Sequence, residues 1–217
     1  MPASVVHLSR GSTSKVLLVA FDPFGGKILN SSWLAIQALH GKQIARHRII
    51  AAQLPTAFKT SLQILRKLIA EHNPALIIGV GQADMRSPIS LERVAINIID
   101  ARIPDNQGVQ PVDEEVISGG PVGYFSTLPI KAIRTALNKA DVPVEISQTA
   151  GSFVCNYVFY GLMHELSTRK LLRRTRGGFI HVPLLPQQSA IRAAPAMPLE
   201  QIVKGLRLAI QTTLKLP

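Results

Sequence analysis

The stretch Phe58–Gly81, FKTSLQILRKLIAEHNPALIIGVG, carries two hydrophobic patterns in succession. Over Phe58–Glu71, Leu62, Leu65, Leu68 and Ile69 form an apolar stripe at helical intervals, with Lys59, Arg66 and Lys67 largely off it. Ala75–Gly81 is a short apolar run ending in glycine, the pattern of a strand buried on both faces. The same alternation stands upstream. Lys15–Phe21, KVLLVAF, reads as a buried strand and is broken sharply by Asp22-Pro23-Phe24-Gly25-Gly26. A helix is predicted over Ser31–Leu39, with Trp33, Ile36 and Leu39 toward the core, and a strand over Ile49–Leu54. Strands alternating with helices predict an α/β fold with a largely parallel sheet covered on both faces. Ligands of such sheets collect beyond the C-terminal strand ends, so Asp22–Gly26 and Gly81–Arg86 should share one rim.

Downstream, Leu91–Ile99 reads as one strand and Leu128–Leu137 as a helix. Val144–Ser147 reads as a short strand, Gly178–Pro183 as a strand running into a turn, and Leu199–Leu214 as a closing amphipathic helix. Asp100–Thr127 has little periodicity and many turn residues; a run that long in a compact domain suits a lid or binding loop. Arg192–Pro198 is a predicted loop. Residues Met1–Ser14 read as a flexible leader, and 15–217 as a single domain.

Composition narrows the class. A hydrophobic fraction of 47% in 217 residues supports a globular protein with a sizeable core. One cysteine excludes an intramolecular disulfide and fits a reducing compartment. No signal-peptide pattern and no membrane-length apolar run is present, so a cytoplasmic location without a membrane partner is expected. The 24 basic and 13 acidic residues leave a formal charge of +11. The densest basic cluster, Arg169–Arg176, lacks interleaved aromatics for stacking bases, so nucleic acid is not expected as a partner; it reads as a solvated helix end.

Chemistry concentrates in Thr149–Leu166, TAGSFVCNYVFYGLMHEL, which holds the lone cysteine, Cys155. A helix is predicted over Phe153–Leu166 with Ser152 as N-cap, which places Cys155 in the first turn. The unpaired N–H groups and the dipole there favour a thiolate. A lone cysteine is also an ordinary small buried hydrophobe, and this stretch leaves both readings open.

A nucleophilic cysteine needs a base, and the chain has six histidines. His164 is nine positions on; about 900° of rotation and about 13 Å of rise put it on the opposite face of an intact helix. His72 suits a helix C-terminus, His40 and His47 flank a loop without polar company, and His7 lies in the leader. His181, in the apolar run FIHVP near a strand end, would stand at the functional rim, though a buried structural histidine fits the pattern equally. To orient it, Glu92 stands out: alternation places Glu92, Val94 and Ile96 on one face, where a carboxylate needs a partner. Asp100 and Asp105 compete, although turn chemistry accounts for Asp105. There is no zinc signature, P-loop or dinucleotide fingerprint, so neither metal nor cofactor is expected.

Four segments in this order, FDPFGG (Phe21–Gly26), GQADMRSPISLERVAINIIDARIPDNQG (Gly81–Gly108), SQTAGSFVCNYVFYGLMH (Ser147–His164) and GFIHVPLLP (Gly178–Pro186), resemble the pyroglutamyl peptidase I family. The resemblance runs from about Lys15 to the C-terminal helix. It implies a three-layer α/β/α sandwich with a mixed, largely parallel sheet, phosphorylase/hydrolase-like, and frequently a homotetramer or dimer. It implies a cysteine exopeptidase acting on peptides with an N-terminal pyroglutamate. By the same resemblance Cys155 matches the nucleophile, His181 the base, Glu92 the acid and Arg102 a residue near the oxyanion. Phe21 and Phe24 match an aromatic pair around the lactam ring, Gln82 a recognition residue, Asn30 and Thr56 positions lining the site, and Phe153 a pocket wall. The chain departs at Asp84-Met85, where glycine is usual, and at Ser31, where proline usually follows the asparagine. A related cysteine amidase of other specificity, or a non-catalytic anion-binding protein on the same scaffold, are the alternative readings.

Overall fold

The computed structural model describes residues 14–189 and 194–216. The expected leader lies outside the described residues except for Ser14, whose carbonyl accepts from the Arg48 N–H at 2.9 Å. In chain order the elements are β1 (Lys15–Phe21), α1 (Ser31–Gln37), β2 (Gln43–Ile44), β3 (His47–Leu54), α2 (Thr60–His72), β4 (Leu76–Gln82), β5 (Ile89–Glu92) and β6 (Val94–Ile96). They continue with β7 (Gly123–Phe125), α3 (Ile130–Asn138), β8 (Val144–Ser147), α4 (Val154–Thr168), β9 (Arg176–Val182), α5 (Pro186–Ser189) and α6 (Leu199–Lys215).

One sheet runs β2-β3-β1-β4-β9-β5-β8. Its β1–β3, β1–β4, β4–β9 and β5–β8 pairs are parallel, while β2–β3 and β5–β9 are antiparallel. The apolar run of β1 is continuous because alternate residues feed two cores. Val16, Leu18 and Ala20 pack into one cluster with Ile36 of α1, Ile133 of α3 and Leu206 of α6. Leu17, Val19 and Phe21 pack into the other with Leu62 and Leu65 of α2 and Val158 and Leu162 of α4. The result is the expected α/β/α sandwich with a mixed, largely parallel sheet. α2 starts at Thr60 rather than Phe58 because Lys59 has φ 58°, outside helical backbone. It ends at left-handed Asn73, whose N–H donates to the Ile69 carbonyl at 3.0 Å.

The expected Leu91–Ile99 strand is two strands in two sheets. The chain leaves the main sheet at Arg93, and β6 pairs antiparallel with β7. Arg93 bridges the change: its N–H donates to the Ser147 carbonyl at 3.0 Å and its carbonyl accepts from Ser126 at 2.8 Å. Glu92, Val94 and Ile96 therefore do not share a face; Glu92 is fully buried and Ile96 is 37% exposed. Period-two alternation cannot register a change of partner strand. The segment 100–127, expected without structure, contains β7 and is pinned by the Ile99–Glu114 bridge.

Candidate active site

The site is built where β4, β9 and β5 present one face to the start of α4. Along β4, Leu76, Ile78 and Val80 face the α1–α3–α6 core, so Gly79 and Gly81 face α4. Along β9, Ile180 faces the same way as Val80, which turns Phe179 and His181 toward α4. Gly81 pairs with His181 across the parallel ladder. A Cβ on Gly81 would stand 2.9 Å from Cys155 Sγ, 2.9 Å from His181 Cδ2 and 2.9 Å from Phe179 Cε1. Cys155 Sγ and His181 Cδ2 thus both overhang Gly81, a position without a side chain, and are separated by no more than twice that distance.

α4 delivers the thiol. Phe153, not Ser152, is the N-cap, and it has no side-chain cap bond. The Ser152 hydroxyl instead donates to the Asp100 carbonyl at 2.8 Å, while the Asp100 N–H donates to the Ser152 carbonyl at 3.0 Å. Cys155 is still in the first turn, where backbone N–H groups have no helical acceptor. Asn156 anchors that turn: its Oδ1 accepts from the Ile96 N–H at 3.1 Å and its Nδ2 donates to the carbonyls of Ile96 and Ile98 at 2.9 and 3.0 Å. The pull of the helix start toward a thiolate is opposed by the surroundings. Burial first, and then the Glu92 charge, push the Cys155 thiol from 9.0 up to about 12, against an opposing pull from Arg86. Desolvation outweighs the helix start.

Ser90 pairs with His181 across the antiparallel ladder, so Glu92, two residues on, reaches the imidazole on the same face. His181 Nδ1 lies 2.8 Å from Glu92 Oε1. The same oxygen accepts from Arg86 Nη1 at 2.5 Å. Burial opposes ionisation of Glu92, but the His181 hydrogen bond and charge, the Ser147 hydroxyl and the Arg86 guanidinium together hold its carboxyl below the usual value. Arg93, the next residue in sequence, bonds Gln148 rather than Glu92, at 2.9 Å. His164 bonds the Tyr124 hydroxyl at 2.9 Å, away from the thiol.

A cavity of about 640 Å³ opens over Cys155 and His181. Phe24, Gln82, Arg102 and Phe153 also line it. Phe24 and Phe153 face each other with ring centroids 6.1 Å apart, and Phe58 closes edge-on to Phe153 at 5.5 Å. Lys27 lies over Phe24 at 5.0 Å and pairs with Asp84, one of the unusual residues, clasping the Phe24 loop to the opposite rim. Arg102 is exposed and has no hydrogen-bonded or ion-paired partner among the described residues. Gln82 Oε1 already accepts from the Ser31 N–H at 2.8 Å and Gln188 Nε2 at 2.9 Å.

Phe21, Asn30 and Thr56 are not brought to the cavity wall. Phe21 is buried against Phe179, with ring centroids 6.3 Å apart. Asn30 caps α1 by accepting from the Ser32 N–H and donates to the Asp22 carbonyl at 3.1 Å. The Thr56 N–H and hydroxyl donate to Asp22 Oδ1 and O at 2.7 and 3.0 Å. Asn30 and Thr56 thus hold the loop that carries Phe24. Arg86, Asn156 and Gly81 were not singled out from sequence. Only the buried Glu92, which demands a cation, signalled that an arginine such as Arg86 had to be near.

A family model described as pyroglutamyl peptidase matches residues 14–216. The pyrrolidone-carboxylate peptidase of Bacillus cytotoxicus is 50% identical over 92% of this chain and 93% of its own length. That of Ralstonia nicotianae is 51% identical over 92% and 93%. Among solved structures, pyroglutamyl peptidase I of Bacillus amyloliquefaciens superposes with a TM-score of 0.90 at 48% identity, covering 93% of this chain and 95% of its own. A variant of the pyrrolidone carboxyl peptidase of Pyrococcus furiosus superposes with a TM-score of 0.90 at 39% identity, covering 93% and 98%. The chain belongs to the pyroglutamyl peptidase family.

Proposed function

We infer that the chain is a cysteine-type omega peptidase that hydrolyses the amide bond after an N-terminal 5-oxoproline residue of a peptide. The observation that carries the mechanism is the shared seat of Cys155 Sγ and His181 over Gly81, with Glu92 bonded to the far side of the imidazole. Glu92 fixes the Nδ1–H tautomer, leaving Nε2 to accept the thiol proton as sulfur attacks the scissile carbonyl. Burial and the Glu92 charge favour the neutral thiol, so the attacking sulfur gives its proton to His181. The tetrahedral oxyanion forms beside the Cys155 N–H and the unpaired Arg102 guanidinium. Its collapse expels the peptide amine, which takes the proton from His181 and leaves a thioester. Water, deprotonated by His181, then releases 5-oxoproline and restores the thiol.

Phe24 and Phe153 form the aromatic walls suited to a small, flat lactam ring. Gln82 Nε2 donates one N–H to Asp84 Oδ1 at 3.2 Å and has a second for the lactam carbonyl, because its own carbonyl is occupied by Ser31 and Gln188. Phe21, Asn30 and Thr56 act at one remove, through the Asp22–Gly26 loop. The catalytic unit spans 15–217, works in the cytoplasm and assembles as a homo-oligomer. The exposed apolar side chains Val122, Phe125 and Leu171 favour association, and no described helix is long and apolar enough to cross a membrane. Sedimentation of the purified protein checks the assembly. Release of a chromophore from a pyroglutamyl amide tests the activity; it should vanish in Cys155→Ala, and retained turnover there would refute the nucleophile.

A further inference from the structure

We propose that Arg86 is a positioning residue of the hydrolytic site, whose guanidinium locks Glu92 to the segment that delivers Cys155 and keeps the Glu92 carboxylate an acceptor toward His181. The proposal rests on the roles of Cys155, His181 and Glu92 inferred above. Arg86 lies on the rim beyond β4. Its Nη1 donates to Glu92 Oε1 at 2.5 Å and to the Ser147 hydroxyl at 3.3 Å, and its Nη2 donates to the Thr149 carbonyl at 2.8 Å. Ser147 ends β8, and Thr149 opens the turn into α4; the Thr149 hydroxyl accepts from the Gly151 N–H at 3.0 Å. One planar group therefore spans the rim after β4, the end of β5 and the approach to the nucleophile. Arginine suits this role because its fork presents several fixed donors and stays charged across the working pH range.

Glu92 is fully buried, and its Oε2 has no hydrogen-bond partner among the described residues, so Arg86 and His181 both bond Oε1. A buried carboxylate stripped of a partner takes up a proton rather than remaining charged. A protonated Glu92 would donate to His181 Nδ1 and place the imidazole proton on Nε2. That tautomer faces the thiol as a donor and cannot accept its proton. Arg86 keeps Glu92 out of that state. The other titratable groups facing Glu92 are His181 from β9 and Cys155 from α4. From β8 come the Ser147 hydroxyl and, through Ser90, the Glu145 carboxylate, which accepts from the Ser90 hydroxyl at 2.6 Å.

The test compares wild type, Arg86→Met, Arg86→Lys and Glu92→Gln, with folding checked by far-UV circular dichroism. Chromophore release from a pyroglutamyl amide is followed across pH. In Arg86→Met, kcat should fall by about one to two orders of magnitude with KM nearly unchanged. The acid limb of kcat/KM should move up by about one pH unit. Added guanidinium at millimolar concentration should restore part of that rate, and none in Glu92→Gln. Arg86→Lys keeps the charge without the fork; if the methionine variant does not fold, Arg86→Lys should show the fall in kcat with an acid limb close to wild type. An Arg86→Met enzyme with the wild-type acid limb and kcat within about threefold, or a loss confined to KM, overturns the proposal. If Glu92→Gln is fully active, the inferred role of Glu92 falls first, and that of Arg86 with it.

Discussion

Replacing Gly81 with alanine would drive a methyl group between nucleophile and base. The added carbon would stand 2.9 Å from Cys155 Sγ, His181 Cδ2 and Phe179 Cε1 at once. Comfortable contact needs about 3.5–4.0 Å, so each neighbour would have to retreat by roughly 0.6–1 Å. None has slack. Asn156 pins the first turn of α4 through three bonds, Glu92 holds His181 at 2.8 Å, and Phe179 is fully buried between Phe21 and Phe159. Overpacking of this kind costs about 1–3 kcal/mol, a fall in melting temperature of roughly 2–12 °C at this chain length. A displacement near 1 Å at a reacting centre costs about a hundredfold in rate. Gly79→Ala is the control, because the three atoms nearest its Cβ would all belong to Phe179, at 2.4, 2.7 and 3.5 Å. Calorimetry and chromophore release should therefore rank the two variants oppositely: Gly79→Ala loses more stability, and Gly81→Ala loses more kcat/KM. A Gly81→Ala enzyme with wild-type kcat/KM, or a Gly79→Ala enzyme with the larger rate loss, would refute the shared seat.

Glu92 is held below its ordinary 4.5, so the unfolded chain binds that proton first as pH falls. Its contribution is complete above the ordinary carboxylate range and is lost as pH drops through the lowered folded value. Thermal melts of wild type should consequently fall more steeply below pH 4.5 than those of Glu92→Gln, and parallel curves would contradict this. Cys155 behaves with the opposite sign: its stabilisation is complete below 9.0 and declines toward about 12. Alkylation by iodoacetamide should accordingly accelerate through that range, and a plateau near neutrality would reveal a resting thiolate. Asn156→Ala should cost about 1–3 kcal/mol and lower kcat, since it strands a backbone N–H and two carbonyls around Ile96 and Ile98; a denaturant melt and kcat measured together check it. Buried Glu165 pairs with both Arg66 and Arg169, so Arg66→Met with Arg169→Met should cost about 3 kcal/mol, more than the two single losses combined. Additive losses in a double-mutant cycle would show that the two pairs act independently.

Much of the architecture is legible because burial leaves a local mark. β1 and β4 are covered on both faces and are apolar apart from Lys15 at the start of one and Gln82 at the end of the other, and α2 shows its buried stripe directly. Cys155, His181 and Glu92 stand out for a related reason: each is a reactive or charged group in apolar company. What the pattern does not show is where strands change partners. Arg93 hands the chain from one sheet to another without altering the local alternation. The helix start misled for a similar reason. Ser152 has the chemistry of a cap, but the Asp100 carbonyl, brought in from 52 residues away, takes its hydroxyl. Gly81 and Arg86 are silent alone, since their value lies in what the fold places against them.

The raised Cys155 thiol changes how the site has to work. Burial and the Glu92 charge oppose a thiolate, while Arg86, which is bonded to Glu92 and the Thr149 carbonyl, pulls the other way. In the proposed mechanism the imidazole, its tautomer fixed on the far side, takes the proton of the attacking thiol. That arrangement places the demand on geometry: the proton must pass across the gap over Gly81 at the moment sulfur reaches carbon. It also leaves the free enzyme less exposed to oxidants and stray electrophiles, which react with thiolate rather than thiol. The tight packing at Gly81, the three-bond anchor at Asn156 and the fork at Arg86 are then parts of one requirement, the alignment of a neutral thiol with a neutral base.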